Sequence, residues 1–166
     1  MSGGVQFWTA CLIALLRRHD LGGNMDSISV LLVDDSPLFL RIATRFLQEY
    51  YHDEVVVVGT ASGGQEALTK ARDLRPQVVL LDLAMPDLPG LEVIPHLRAA
   101  LPEVGIVVVT LLDTNGYRLA AQEAGADAFV PKASLSADLL PAIRRVVQAD
   151  QPLEKPVDGS ALEQNG

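Results

Sequence analysis

Residues 28–37 read ISVLLVDDSP. The first six are β-branched or leucine-rich and show no polar alternation, the pattern of a strand buried on both faces in a helix-covered parallel sheet. The run stops at two adjacent carboxylates, Asp34 and Asp35. Ser36 and Pro37 then signal a helix start, because a serine hydroxyl caps free backbone N–H groups and proline suits the first turn. Leu38, Ile42, Phe46 and Leu47 follow at helical spacing.

Outward from this stretch the same rhythm repeats. Val55–Val58 reads as a second strand, followed by a helix opening at Ser62 and ended by Pro76. Val78–Leu81 is a third strand ending at Asp82. A turn-rich loop leads to Gly90 and a helix over Leu91–Ala100, which Pro95 is expected to kink or shorten. Ile106–Val109 is a fourth strand ending at Thr110, and Asn115–Ala124 a helix closed by Gly125. Ala128–Val130 is a fifth strand with Lys132 just beyond it. Ser134 or Ser136 is expected to cap a last helix running to about Ala149. Five such units predict an α/β fold with a doubly wound parallel sheet and helices on both faces. In these sheets the binding crevice lies beyond the carboxyl ends of the strands.

Those ends hold Asp34 and Asp35, Asp82, Thr110 and, two residues on, Lys132. Three carboxylates, a hydroxyl and an ammonium therefore converge on one edge. Carboxylates this close stay ionised only beside a cation. Oxygen-only ligands favour a hard ion, and Mg²⁺ is expected because it needs few protein carboxylates. One carboxylate is then free to act as a nucleophile, with Lys132 and Thr110 as phosphoryl-oxygen partners. Taken singly each residue has an ordinary explanation: turn and cap for the aspartates, strand end for Thr110, solvated charge for Lys132, core packing for Phe129. The shared edge makes the joint reading the better one.

The chain from about Ile28 to Ala149 resembles the response-regulator receiver family of two-component signalling. The matching pieces are VLLVDDSP, VVLLDLAMPDLPG around Asp82, VVVT ending at Thr110, and AGADAFVPK ending at Lys132. The resemblance implies a flavodoxin-like sheet of order 2-1-3-4-5. It implies Asp82 as phosphoacceptor, with Mg²⁺ held by Asp35, Asp82 and the Ala84 backbone carbonyl, and by Asp34 through water. Thr110 and Lys132 would bind phosphoryl oxygens, and Thr110 with Phe129 would form the switch. The implied partners are a histidine kinase or histidine phosphotransfer protein upstream and another protein downstream.

Three positions depart from the family pattern. Leu111 stands where a small residue is usual and is expected to obstruct the phosphoryl site. Ala84 and Leu112, two residues past Asp82 and Thr110, cannot position water through a polar side chain, so slow self-dephosphorylation is expected. Ala133, not proline, follows Lys132, and a trans bond or modest rearrangement is expected there.

The 166 residues suffice for one domain. A single cysteine, Cys11, forms no internal disulfide, which fits a reducing compartment. A net charge of −8 argues against sequence-independent nucleic-acid binding, and no direct contact with nucleic acid is expected. The apolar run Phe7–Leu16 is too short to span a bilayer, and its positive charges follow it instead of preceding it. The protein is therefore read as cytoplasmic. Residues 1–25 are read as a dispensable extension, 26–149 as the receiver and 150–166 as a disordered tail with no room for an output domain. A homodimer through the last helices is left open. Two other readings are weighed. One is a degenerate receiver serving as an interaction module, favoured by Leu111. The other is a haloacid-dehalogenase-type phosphatase, disfavoured because that class wants Asp-x-Asp and here the aspartates adjoin.

Overall fold

A computed structural model describes residues 27–149. The strands are β1 (Ile28–Val33), β2 (Val55–Ala61), β3 (Val78–Leu81), β4 (Gly105–Thr110) and β5 (Ala128–Pro131). The helices are α1 (Pro37–Tyr50), α2 (Gly64–Leu74), α3 (Gly90–Ala100), α4 (Asn115–Ala124) and α5 (Leu135–Ala149). All neighbouring strands pair in parallel, in the order β2-β1-β3-β4-β5. This is the flavodoxin-like arrangement expected. The proposed extension and tail lie outside the described residues.

Because strand side chains alternate between faces, each strand supplies two cores. Leu31, Val33, Val79, Leu81, Ile106 and Val108 pack beneath Ala67, Leu68 and Ala71 of α2, Val93, Ile94 and Leu97 of α3, and Ala121 of α4. Val30, Leu32, Leu80, Val107, Val109 and Val130 face Leu40, Ala43 and Leu47 of α1 and Leu139, Ile143 and Val146 of α5. Each fully buried Leu or Ile contributes about 1.5–3 kcal/mol. That is why the central strands β1, β3 and β4 are mostly apolar, with β3 and residues 30–33 and 106–109 unbroken by a polar side chain.

Several boundaries differ from expectation. β2 runs on to Ala61, and its pairing with β1 shifts register between Val30 and Leu31. α2 starts at Gly64 because Ser62 is held outside the helix: its N–H and hydroxyl both donate to Glu66. Pro95 does not shorten α3, which continues to Ala100. Neither expected serine caps α5. Ser134 closes a 3₁₀ turn over Lys132–Ser134 and donates its hydroxyl to the Pro131 carbonyl, while Ser136 lies inside the helix. No cis peptide bond occurs among the described residues, Lys132–Ala133 included.

Candidate functional site

Each site residue is placed by the strand that precedes it. β1 and β3 are neighbours with Val33 opposite Leu81, so the residues that follow, Asp34 and Asp82, emerge side by side. Asp34, at 1% exposure, and Asp82, at 4%, are buried; Asp35 is exposed. One carboxylate oxygen from each lies within 4.8 Å of the others. Thr110 ends β4 fully buried. β5 pairs with β4 so that Pro131 lies opposite Thr110, which delivers Lys132 to the same edge.

Local hydrogen bonds orient the set. Asp34 Oδ1 accepts from the Ser36 N–H at 2.8 Å, and Ser36 Oγ accepts from the Phe39 N–H at 3.3 Å, capping α1. Asp34 Oδ2 takes the Lys132 ammonium at 2.5 Å. The same ammonium is 3.8 Å from Asp82 Oδ1 and 4.1 Å from the centre of the Phe39 ring. Asp82 Oδ2 accepts from the Ala84 N–H at 3.2 Å. Thr110 Oγ1 accepts from the Leu112 N–H at 3.2 Å, and the Thr110 hydroxyl lies near enough to Asp82 to favour its charged form. A Cβ at Gly90 would collide with the Asp82 backbone carbonyl. Only glycine therefore lets α3 start against the strand that carries Asp82.

The electrostatics are unbalanced. Burial pushes the Asp82 carboxyl above its ordinary value, and the Lys132 ammonium only partly opposes this while the Asp34 charge adds to it. The Lys132 ammonium reaches two of the three carboxylates and is closest to Asp34. An all-oxygen donor set with negative charge in excess fits a hard divalent cation.

Of the residues singled out from sequence, Asp34, Asp35, Asp82 and Lys132 meet at one edge, with Thr110 beside Asp82. Leu111, expected to obstruct it, is 77% exposed. Its side chain is in solvent and does not plug the cavity. Ala84 is exposed and Leu112 packs against the α2–α4 side of the core. Phe129 is half-buried, with the Arg118 guanidinium 4.6 Å above its ring. Sequence reading missed two contributors. Phe39, at helical position three after the Ser36 cap, was hidden because its partner Lys132 is remote in sequence. Asp87 accepts from the Gly64 and Gln65 N–H groups at 3.0 and 3.1 Å, capping α2 from the β3–α3 loop; no local signal pairs those segments.

No helix among the described residues is long and apolar enough to cross a membrane. The response regulator receiver domain family matches residues 30–144. The chain is similar to response regulator GacA of Pseudomonas viridiflava, 39% identical over 119 residues, covering 72% of this chain and 55% of that protein. It is 34% identical over 127 residues to the uncharacterized transcriptional regulatory protein YxjL of Bacillus subtilis (strain 168), covering 76% and 57%. Among solved structures, the response regulator domain of Thermotoga maritima CheB superposes with a TM-score of 0.68 at 28% identity, covering 74% of this chain and 97% of that one. The chain spans about half the length of the curated relatives it matches. With a family match across most of its length, the same strand order and the acidic edge in the expected place, the chain belongs to the response regulator receiver domain family, whose members signal in two-component systems.

Proposed function

We propose that Asp82 accepts a phosphoryl group from a histidine kinase or a histidine phosphotransfer protein, and that the phosphorylated domain then changes a partner-binding surface. The observation that carries this is the meeting of three carboxylates with Thr110 and Lys132 beside them. In the transfer, an Asp82 carboxylate oxygen attacks phosphorus, the P–N bond to the donor imidazole breaks, and the imidazole leaves with the electron pair. Thr110 offers its hydroxyl and Lys132 its ammonium to the phosphoryl oxygens. At 3.8 Å from Asp82 Oδ1, Lys132 needs only a short swing from Asp34 to reach them.

Family members generally bind Mg²⁺ in such an acidic pocket. Here Asp35, Asp82 and the Ala84 carbonyl would hold the ion directly and Asp34 through water. When bound, it supplies charge neutralisation for the crowded carboxylates and the incoming phosphate. For the switch, phosphate draws Thr110 inward and Phe129 repacks beside it, a population shift between two arrangements. Without a hydroxyl, Phe129 acts by packing alone.

The receiver spans residues 26–149, and a cytoplasmic setting suits it. Because the chain covers about half of its curated relatives, one of them named a transcriptional regulatory protein, the expectation that nucleic acid plays no part in the output is not carried forward. The exposed Leu111 removes the feature that favoured a degenerate interaction module.

Acetyl phosphate with Mg²⁺ tests the reading. The wild-type chain is expected to gain one acid-stable, hydroxylamine-labile phosphoryl group, and Asp82→Asn none. The label should persist for minutes, since Ala84 and Leu112 cannot orient water. Equal labelling of both proteins, or none in the wild type, would sink the assignment. Loss of the label within seconds would remove the slow-hydrolysis part alone.

A further inference from the structure

We propose that Phe39 is a positioning residue for Lys132, its ring face forming the floor on which the ammonium moves between Asp34 and Asp82. This deepens the phosphoacceptor reading and rests on it. Lys132 is 13% exposed at its side chain, so little water is left to solvate its charge. Three groups replace that water: Asp34 Oδ2 at 2.5 Å, Asp82 Oδ1 at 3.8 Å and the Phe39 ring centroid at 4.1 Å. The negative face of an aromatic ring attracts an ammonium, more strongly where solvent is scarce.

The ring is itself fixed. Phe39 is the third residue of α1, held where the Ser36 hydroxyl accepts its N–H, and Ser36 in turn donates to Asp34. Asp34, Ser36 and Phe39 are thus one turn, with the carboxylate and the ring face meeting the same ammonium. Below, the ring borders a small apolar recess lined by Leu40, Leu135 and Leu139. A flat attractive floor has no preferred end. It keeps the charge inside the pocket without itself favouring either carboxylate; the ammonium rests on Asp34 through that carboxylate's own charge and can leave it for a phosphoryl oxygen while the ring still holds it. An aliphatic residue would fill the same volume but release the ammonium to solvent or lock it onto Asp34. A phosphoryl group would then meet a charge that is not preorganised for it.

The test compares the wild-type chain, Phe39→Leu, Phe39→Tyr and a chain with pentafluorophenylalanine at 39, which keeps the ring's shape while reversing the sign of its face. With acetyl phosphate and Mg²⁺, the leucine and fluorinated chains are expected to phosphorylate roughly five-fold more slowly, and Phe39→Tyr within about two-fold of wild type. In a Lys132→Met background, Phe39→Leu should have no further effect. The Lys132 ε-methylene protons should show an upfield ring-current shift in wild type that disappears in Phe39→Leu, a readout independent of phosphorylation. A fluorinated chain as fast as wild type overturns the inference even if Phe39→Leu is slow or fails to fold. So does an undiminished effect of Phe39→Leu without Lys132. If Asp82→Asn still accepts phosphate, the phosphoacceptor reading fails instead. If Asp82→Asn is inert and the Phe39 variants are fast, only the role of Phe39 is lost.

Discussion

At the amino-terminal edge of the sheet, Arg98 of α3 donates to the carbonyls of Pro102, Val104 and Gly125 and to Asp127 Oδ2, each at 2.8 Å, while Asp127 Oδ2 also accepts from the Ile106 N–H; at the carboxyl-terminal edge, Asp34, Asp35 and Asp82 cluster, and the one ammonium beside them reaches Asp34 and Asp82. The first edge closes its accounts. Ser29 and Gln77 exchange hydrogen bonds across β1 and β3, and Arg144 of α5 grips both oxygens of Glu54 ahead of β2. Donors match acceptors and charges pair. At the second edge Asp82 is buried with its carboxyl pushed toward the neutral form. The same five strands are therefore tied off for stability at one end and left short of positive charge at the other. The divalent cation proposed for the second edge would supply that charge.

Removing the tie at the first edge should produce the largest effect. Arg98→Ala leaves three carbonyls and Asp127 short of a donor, and charge-assisted hydrogen bonds of this kind are costly to lose. The expected destabilisation is about 2–3 kcal/mol, read as a lower urea midpoint with an unchanged slope. Acetyl phosphate should still label Asp82 in the folded fraction. A midpoint within error of wild type would show that the amino-terminal network is ornamental and the contrast between the edges false.

A substitution at the second edge should have the opposite sign. Asp82 has a raised carboxyl pKa when folded, so the folded state holds that proton more tightly than the unfolded state. The contribution of Asp82 to stability is therefore greatest in acid and falls as pH rises from the ordinary carboxylate value through the folded one. In the absence of divalent ions Asp82→Asn should match wild type in acid and melt a few degrees higher at pH 7. Mg²⁺ should reverse the order: at a hundred times its Kd a ligand adds about 2.7 kcal/mol to wild type, and the asparagine chain should gain far less. Thermal melts at two pH values with and without Mg²⁺ decide it. An asparagine variant less stable than wild type without metal would mean that Lys132 already satisfies the pocket.

How far this contrast is legible in sequence depends on which contacts make it. The carboxyl-terminal edge is nearly all readable, because in a parallel sheet the residue after each apolar run is carried to the same edge: Asp34, Asp82 and Thr110 are such residues, and Lys132 follows two later. Directions and pairings are not readable. Leu111 suggests an obstruction, yet the turn after β4 points it outward. Lys132 sits closer to Asp34 than to Asp82, and no spacing in the chain sets that choice. The amino-terminal network is hidden for a similar reason. Arg98 and Asp127 look like solvated charges on separate segments until α3 and β5 are docked on β4. Spacing in the chain reports which element a residue ends, whereas its partner depends on how the elements pack.

Arg75 is the exception that sharpens the comparison. It follows α2 at the amino-terminal edge, beside the Gln77 that pairs with Ser29, and adopts a left-handed backbone with φ 45° and ψ 58°. At a helix end this conformation usually belongs to glycine, because a Cβ there crowds the adjoining carbonyl. Pro76 forbids continuation of the helix, and the Arg75 N–H still donates to the Ala71 carbonyl at 3.0 Å, so the turn is imposed by its surroundings. The side chain is exposed. Arg75→Gly should thus relieve the strain without losing packing, offset in part by the freer unfolded chain. The expected net gain is about 0.5 kcal/mol, seen as a small rise in urea midpoint with no change in phosphorylation rate. If Arg75→Gly instead destabilises, the arginine is making an interaction at that edge worth more than the strain it carries, and the amino-terminal end has no weak point of its own.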